Sequence, residues 1–187
     1  VAEQLGVEYT ADNTVAAGEA DVVVVTVPIG KTAEVVREVA PHVKAGSLLM
    51  DLTSVKVMPV RLMDEYAPEG VEVVGTHPIF GPRVKVIDGQ VFVLTPVRTG
   101  GRYMWLRDLL ARHNARIVET TPEEHDRIMA VVQGLTHFTY ISIGKTFQEL
   151  DFDVKESRKY SSPIYELMLD MIGRIIGQDP RLYAEIQ

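Results

Sequence analysis

"DVVVVTVPIG", residues 21–30, is a continuous β-branched run that stops at Pro28 and Gly30. A run with no polar alternation matches a parallel strand covered by helices on both faces. The same pattern repeats outward from it. "KTAEVVREVAPHVKAG" (31–46) reads as a short amphipathic helix closed by Pro41 and Gly46. "SLLMDLTSVK" (47–56) is a second buried strand ending at Asp51, where Thr53 or Ser54 can cap the helix "VKVMPVRLMDEY" (55–66). Pro59 is tolerable there only near the helix start. "VEVVGTHP" (71–78) is a third strand, "QVFVLTPV" (90–97) a fourth, "RYMWLRDLLARHN" (102–114) a helix and "ARIVET" (115–120) a fifth strand. Alternation of this kind indicates an α/β unit built on a parallel sheet, with Trp105 packing its helix against the strands.

The character changes at "TTPEEHD" (120–126). Thr121, Pro122, Glu123 and Glu124 make a helix start, with proline at the first position and acids in the first turn. Ile128, Val132, Leu135, Phe138 and Ile141 then recur at spacings of three and four, and no breaker interrupts the helix before about Leu150. "SSPIYELMLDMIGRIIGQDP" (161–180) starts another helix with a serine cap, and "DPRLYAEIQ" (179–187) opens a third. The organisation is an α/β domain over residues 1–120 and an all-α segment over residues 121–187.

Composition narrows the chemistry. The 187 residues include 46% hydrophobic types, enough for a real core, and no cysteine, which excludes disulfides and thiolate metal sites. Five scattered histidines with no H-x-x-x-H pair argue against zinc, so no metal is expected. A net charge of −7 disfavours nucleic acid, and the cluster Lys155, Arg158 and Lys159 is interrupted by Glu156. No apolar run approaches the ~20 residues of a membrane span and no export signal opens the chain, so a soluble, cytoplasmic protein is expected.

In an open parallel sheet, ligands bind outside the carboxyl ends of the strands. Val27 and Pro28, then Thr53 and Ser54, then His77 lie at three successive strand ends. A histidine so placed titrates in the range of a general acid or base, although His77 could also serve only to cap a turn. His42, His113 and His125 sit among polar residues and read as surface, and Lys56 as an exposed first-turn residue.

"DLTSVK" (51–56), "GTHPIFGP" (75–82), "EEHDRIMAVVQGLTH" (123–137) and "SSPIYELMLDMIGRIIGQDPRLYAEIQ" (161–187), in this order and spacing, resemble the prephenate dehydrogenase family, most closely its archaeal branch. The resemblance implies a partial Rossmann-like domain followed by an all-α substrate and dimerisation domain. It implies oxidative decarboxylation of prephenate, or of its amino analogue arogenate, with hydride transfer to NAD or NADP. His77 would be the base and Ser54 its hydrogen-bonding partner beside the nicotinamide; Val27, Pro28 and Thr53 would line the cofactor. Arg174 would grip the ring carboxylate, with His137, Gln133 and Tyr183 in the substrate pocket. A homodimer through the helical segment is implied as well. Some relatives carry an acidic residue where this chain has Arg83, which leaves any gating role there in doubt.

The front of the chain departs from the family pattern. The G-x-G-x-x-G turn that holds a pyrophosphate does not occur. In family register "VEYT" (7–10) would be a third strand and "DVVVVTVP" a fourth. Loss of strands one and two would leave a gap in the sheet and a naked apolar edge on Val22–Val27, so a missing segment and weak nicotinamide binding by this chain alone are expected. Two other readings stay open. One is a hydroxyacid dehydrogenase of the related helical-dimer group, which would use Lys145; the other is a binding module that kept the substrate pocket and lost the cofactor site.

Overall fold

The structure, a computed structural model, describes residues 2–81 and 84–177. Two short helices, α1 (Ala2–Leu5) and α2 (Asn13–Glu19), precede β1 (Val22–Val25) and α3 (Ile29–Val39). Then follow β2 (Leu48–Asp51), α4 (Val57–Tyr66), β3 (Glu72–Pro78), β4 (Val91–Arg98), α5 (Gly101–Arg112) and β5 (Arg116–Glu119). The helices α6 (Pro122–Met129), α7 (Thr136–Glu149), α8 (Val154–Ser157) and α9 (Pro163–Ile176) complete the order. The chain divides into two compact units, Val1–Asp126 and Arg127–Gln187, so the division falls inside α6.

The first unit is a five-stranded sheet in the order β1-β2-β3-β4-β5. The β1–β2, β2–β3 and β4–β5 pairs are parallel, whereas β3–β4 is antiparallel. That reversal was not expected. A parallel return requires a crossover of a dozen or more residues, usually helical, and the described residues of the link from β3 to β4 form no helix. The sheet is therefore Rossmann-like and mostly parallel.

Successive residues of β2 serve opposite layers. Leu49 packs with Val36, Val39, Val60, Met63 and Val73 on one face, while Leu48 and Met50 pack with Val74, Leu94, Leu106 and Leu110 on the other. All four β2 residues are buried, as the apolar run requires. In β1 the outcome differs. It pairs only with β2 among the described residues, and Val24 is 42% exposed, so Val22–Val25 forms the apolar edge expected and not a strand covered on both faces. Residues 7–10, expected as a strand, form none. The outer edge of β1 therefore has no partner strand among the described residues.

One local expectation also fails. Trp105 is 43% exposed; Tyr103, Leu106 and Leu110 are the residues that turn α5 onto the sheet. The run after Pro122 is helical to Glu149, but Ala130–Leu135 is π-helical and separates α6 from α7.

In the second unit, Ser162 caps α9 by accepting from Tyr165 N at 3.2 Å, with Pro163 at the first helical position. α9 crosses α7 closely: a Cβ on Gly144 would collide with Ile176 Cδ1 and lie 3.3 Å from Ile172 Cγ2. The helix expected at 179–187 lies outside the described residues.

Candidate active site

The sheet register places the candidate residues side by side. Val25 is paired with Asp51 and Asp51 with Gly75, so the carboxyl ends of β1, β2 and β3 form one rim. Beyond it lie the half-buried Val27 and exposed Pro28, the N-cap of α3; then Thr53 and the half-buried Ser54; then His77. The strand-end convergence read from the sequence is present.

Beneath the rim is a buried ionic cluster that sequence reasoning missed. Lys56 and Asp51 are both wholly buried and paired through Nζ and Oδ2. The Asp51 carboxylate also accepts from the Thr53 hydroxyl, from Thr53 N at 3.0 Å and from Thr76 N at 3.2 Å. A buried carboxylate with that many donors is compensated for leaving water. Burial draws the Lys56 ammonium below its usual range, with Asp51 partly offsetting it. Lys56 was expected on the surface; its stem instead crosses β3 at Gly75. There an added Cβ would collide with Thr95 Oγ1 and Val60 Cγ2 and lie 3.0 Å from Lys56 Cδ.

The cap of α4 is a second correction. Neither Thr53 nor Ser54 caps it: Thr53 is turned to Asp51, and Ser54 makes no hydrogen bond among the described residues. The carboxylate of Asp126 caps the helix from 70 positions away, accepting from Lys56 N at 2.7 Å and Val57 N at 2.9 Å.

Asp126 also begins a line of hydrogen bonds to His77. Its Oδ1 lies 2.7 Å from His125 Nδ1, and His125 Nε2 lies 2.9 Å from His77 Nδ1. The two rings meet edge to face at a centroid separation of 5.1 Å. His125, expected on the surface, is 1% exposed, and it stands where Ser54 was expected to bond His77. Its apolar register was visible, because His125 lies three positions before Ile128 and so continues the stripe on that helix. The flanking Glu123, Glu124 and Asp126 masked it.

The electrostatics follow from burial. Desolvation, aided by His125 and by the Lys56 cation and opposed by Asp126, pushes the His77 imidazole down to about 3. Desolvation also acts to raise Asp126, but the bonds from His125, Val57 and Lys56 outweigh it and hold that carboxyl below its usual value. His77 is thus neutral near neutral pH, with an ionised carboxylate two hydrogen bonds along the line, beyond His125.

The remaining candidates belong to the second unit. Gln133 lies in the π-helical segment, His137 at the start of α7 and Arg174 in the last turn of α9, where its side chain is exposed. Tyr183 and Arg83 lie outside the described residues. Among the described residues no group of His, Asp and Glu has the arrangement of a metal site, and no helix is long and apolar enough to cross a membrane.

An open, mostly parallel sheet with the candidate groups along its carboxyl rim, followed by a helical unit, defines a protein of the Rossmann-like class. Residues 1–119 match the family described as prephenate dehydrogenase, nucleotide-binding domain, and residues 121–187 match prephenate dehydrogenase, dimerization domain. The chain belongs to the prephenate dehydrogenase family. It is 52% identical over 190 residues to a Methanocaldococcus jannaschii protein named "Probable arogenate/prephenate dehydrogenase", covering all of this chain and 43% of that protein. To the Haemophilus influenzae T-protein it is 39% identical over 167 residues, covering 89% of this chain and 44% of the relative. The chain thus spans less than half the length of these relatives. The fold matches that of Aquifex aeolicus prephenate dehydrogenase in complex with hydroxyphenyl propionate and NAD+, with a TM-score of 0.73 at 21% identity over 99% of this chain and 67% of that one.

Proposed function

We propose that this chain carries the catalytic base and substrate-side groups of a dehydrogenase that converts prephenate to 4-hydroxyphenylpyruvate, with arogenate as the alternative substrate. The name of the 52% identical relative covers both substrates. In this reading residues 1–120 form the nicotinamide dinucleotide-binding domain and residues 121–187 the substrate and dimerisation domain.

The rim fits one end of a dinucleotide. Val27, Pro28, Thr53 and Ser54 form an uncharged strip along the ends of β1 and β2, suited to a nicotinamide ring; no G-x-G-x-x-G turn for the pyrophosphate occurs in the 187 residues. Thr53 contributes shape there, because its hydroxyl is engaged with Asp51. When bound, NAD or NADP supplies the hydride acceptor. The chain's own part is to take a proton. As the substrate alcohol is oxidised its hydroxyl proton must leave, and His77, neutral and positioned at the end of β3, is the acceptor. A dicarboxylate substrate brings negative charge to His77, which raises the proton affinity of the imidazole in the complex. Arg174 is the cation assigned to the ring carboxylate, with Gln133, His137 and Tyr183 assigned to the rest of the substrate.

The observation that carries this reading is a buried, neutral histidine at the carboxyl rim of a prephenate dehydrogenase-family sheet. Turnover of prephenate and of arogenate, each with NAD and with NADP, tests it on the full-length protein and on His77→Asn. The expected result is a drop in kcat of roughly 10²- to 10⁴-fold in the variant. Unchanged turnover would refute the role of His77.

A further inference from the structure

We propose that His125 and Asp126 are positioning residues that fix the tautomer of His77, holding its proton on Nδ1 so that Nε2 is the nitrogen that accepts the substrate proton. This deepens the function proposed above and rests on it for the identity of the proton donor. The direction of the line is set at its far end. The backbone N–H groups of Lys56 and Val57 can only donate, and both point at the Asp126 carboxylate. An ionised carboxylate is acceptor-only, so the 2.7 Å contact to His125 Nδ1 requires the proton on that nitrogen. His125 with one proton then has an accepting Nε2, 2.9 Å from His77 Nδ1, and His77 must donate there. A fixed feature of the fold, the start of α4, therefore selects the tautomer of a ring two hydrogen bonds away.

The contact between the two rings is buried, with His77 at 3% and His125 at 1% exposure, so water does not compete for it; the Asp126 carboxylate at the far end is part-exposed. The groups acting electrostatically on His77 are His125, Lys56 and Asp126; they bias its protonation, whereas the tautomer follows from the bonding direction. An imidazole in water prefers the opposite tautomer, with the proton on Nε2, and could not use that nitrogen as a base. In this protein the two residues after Glu124 act in series, Asp126 orienting His125 and His125 orienting the base.

Nitrogen-15 NMR of the full-length protein labelled at histidine reads the tautomer directly, with the His77 signals assigned by their loss in His77→Asn. The expected spectrum has Nδ1 protonated and Nε2 unprotonated. In His125→Phe, which keeps a ring but offers no acceptor, the His77 signals should move toward the Nε2-protonated form. Turnover should fall about 10²-fold with KM nearly unchanged, and His125→Gln, which retains an acceptor, should recover part of the loss. The wild-type spectrum decides even where a variant does not fold. A proton on His77 Nε2, or on both nitrogens of His125, overturns the proposal, as does a His125→Phe protein whose His77 tautomer is unchanged. Failure of the functional reading is separate: it appears as unchanged turnover in His77→Asn and leaves the spectrum untouched.

Discussion

At the scale of single residues, the buried neutral state of His77 links the site to stability. Its folded-state value, about 3, lies below the ordinary 6.5, so between these values the unfolded chain binds a proton that the folded chain does not. Unfolding free energy therefore rises with pH across that window, and stability is lost as pH falls from about 6.5 toward 3. Thermal unfolding midpoints measured across this range should fall on acidification, and His77→Asn should flatten the descent. An equally steep descent in the variant would assign the acid sensitivity elsewhere. The position of His77 was readable from the sequence because strand ends are marked by Pro28, Asp51 and Pro78, and chemistry at such ends follows from topology. Lys56 and His125 were not readable in the same way. Each lies among polar neighbours, and what buries them is contact with segments distant in sequence: Gly75 of β3 beside the Lys56 stem, and His77 of β3 beside His125.

At the scale of elements, two helices of the first unit begin on carboxylates borrowed from elsewhere. Asp126 caps α4, and Glu72 at the start of β3 accepts from Arg102 N at 3.0 Å and Tyr103 N at 2.7 Å in the first turn of α5. Each meets orphan N–H donors and the positive end of the helix dipole. Glu72→Ala should cost about 1 kcal/mol in chemical denaturation, whereas Ser54→Ala, which removes no cap, should stay within about 0.5 kcal/mol. Equal effects would mean that the Glu72 contacts contribute no net stability. Local capping rules select Ser and Thr next to the helix start, which is why Thr53 and Ser54 looked suitable and a residue 70 positions away was invisible. The strand and helix types along the first unit were legible from periodicity. The direction of β4 was not, because an apolar run is compatible with either direction and only its connection decides.

At the scale of the whole molecule, the second unit leaves Phe138, Ile164 and Leu167 at 57%, 81% and 64% exposure, on α7 and α9 of a chain whose residues 121–187 match a dimerization domain. We expect a homodimer through these helices: light scattering should give about twice 20.8 kDa for this chain, and Leu167→Glu should shift the mass toward the monomer. A monomeric wild-type mass would contradict that assembly. The division of the chain has a kinetic meaning too. All five strands are complete by Glu119, where the match to the nucleotide-binding domain also ends, yet His125 and Asp126 come afterwards. Their bonds to His77 and Lys56 close loops of 48 and 70 residues, and contacts of such span form late, since the chain entropy between them must be surrendered first. A chain released from the ribosome only as far as β5 would have its sheet but no oriented base. On the proposed role of His77, competence for proton transfer would therefore report that α6 has reached its place against the sheet.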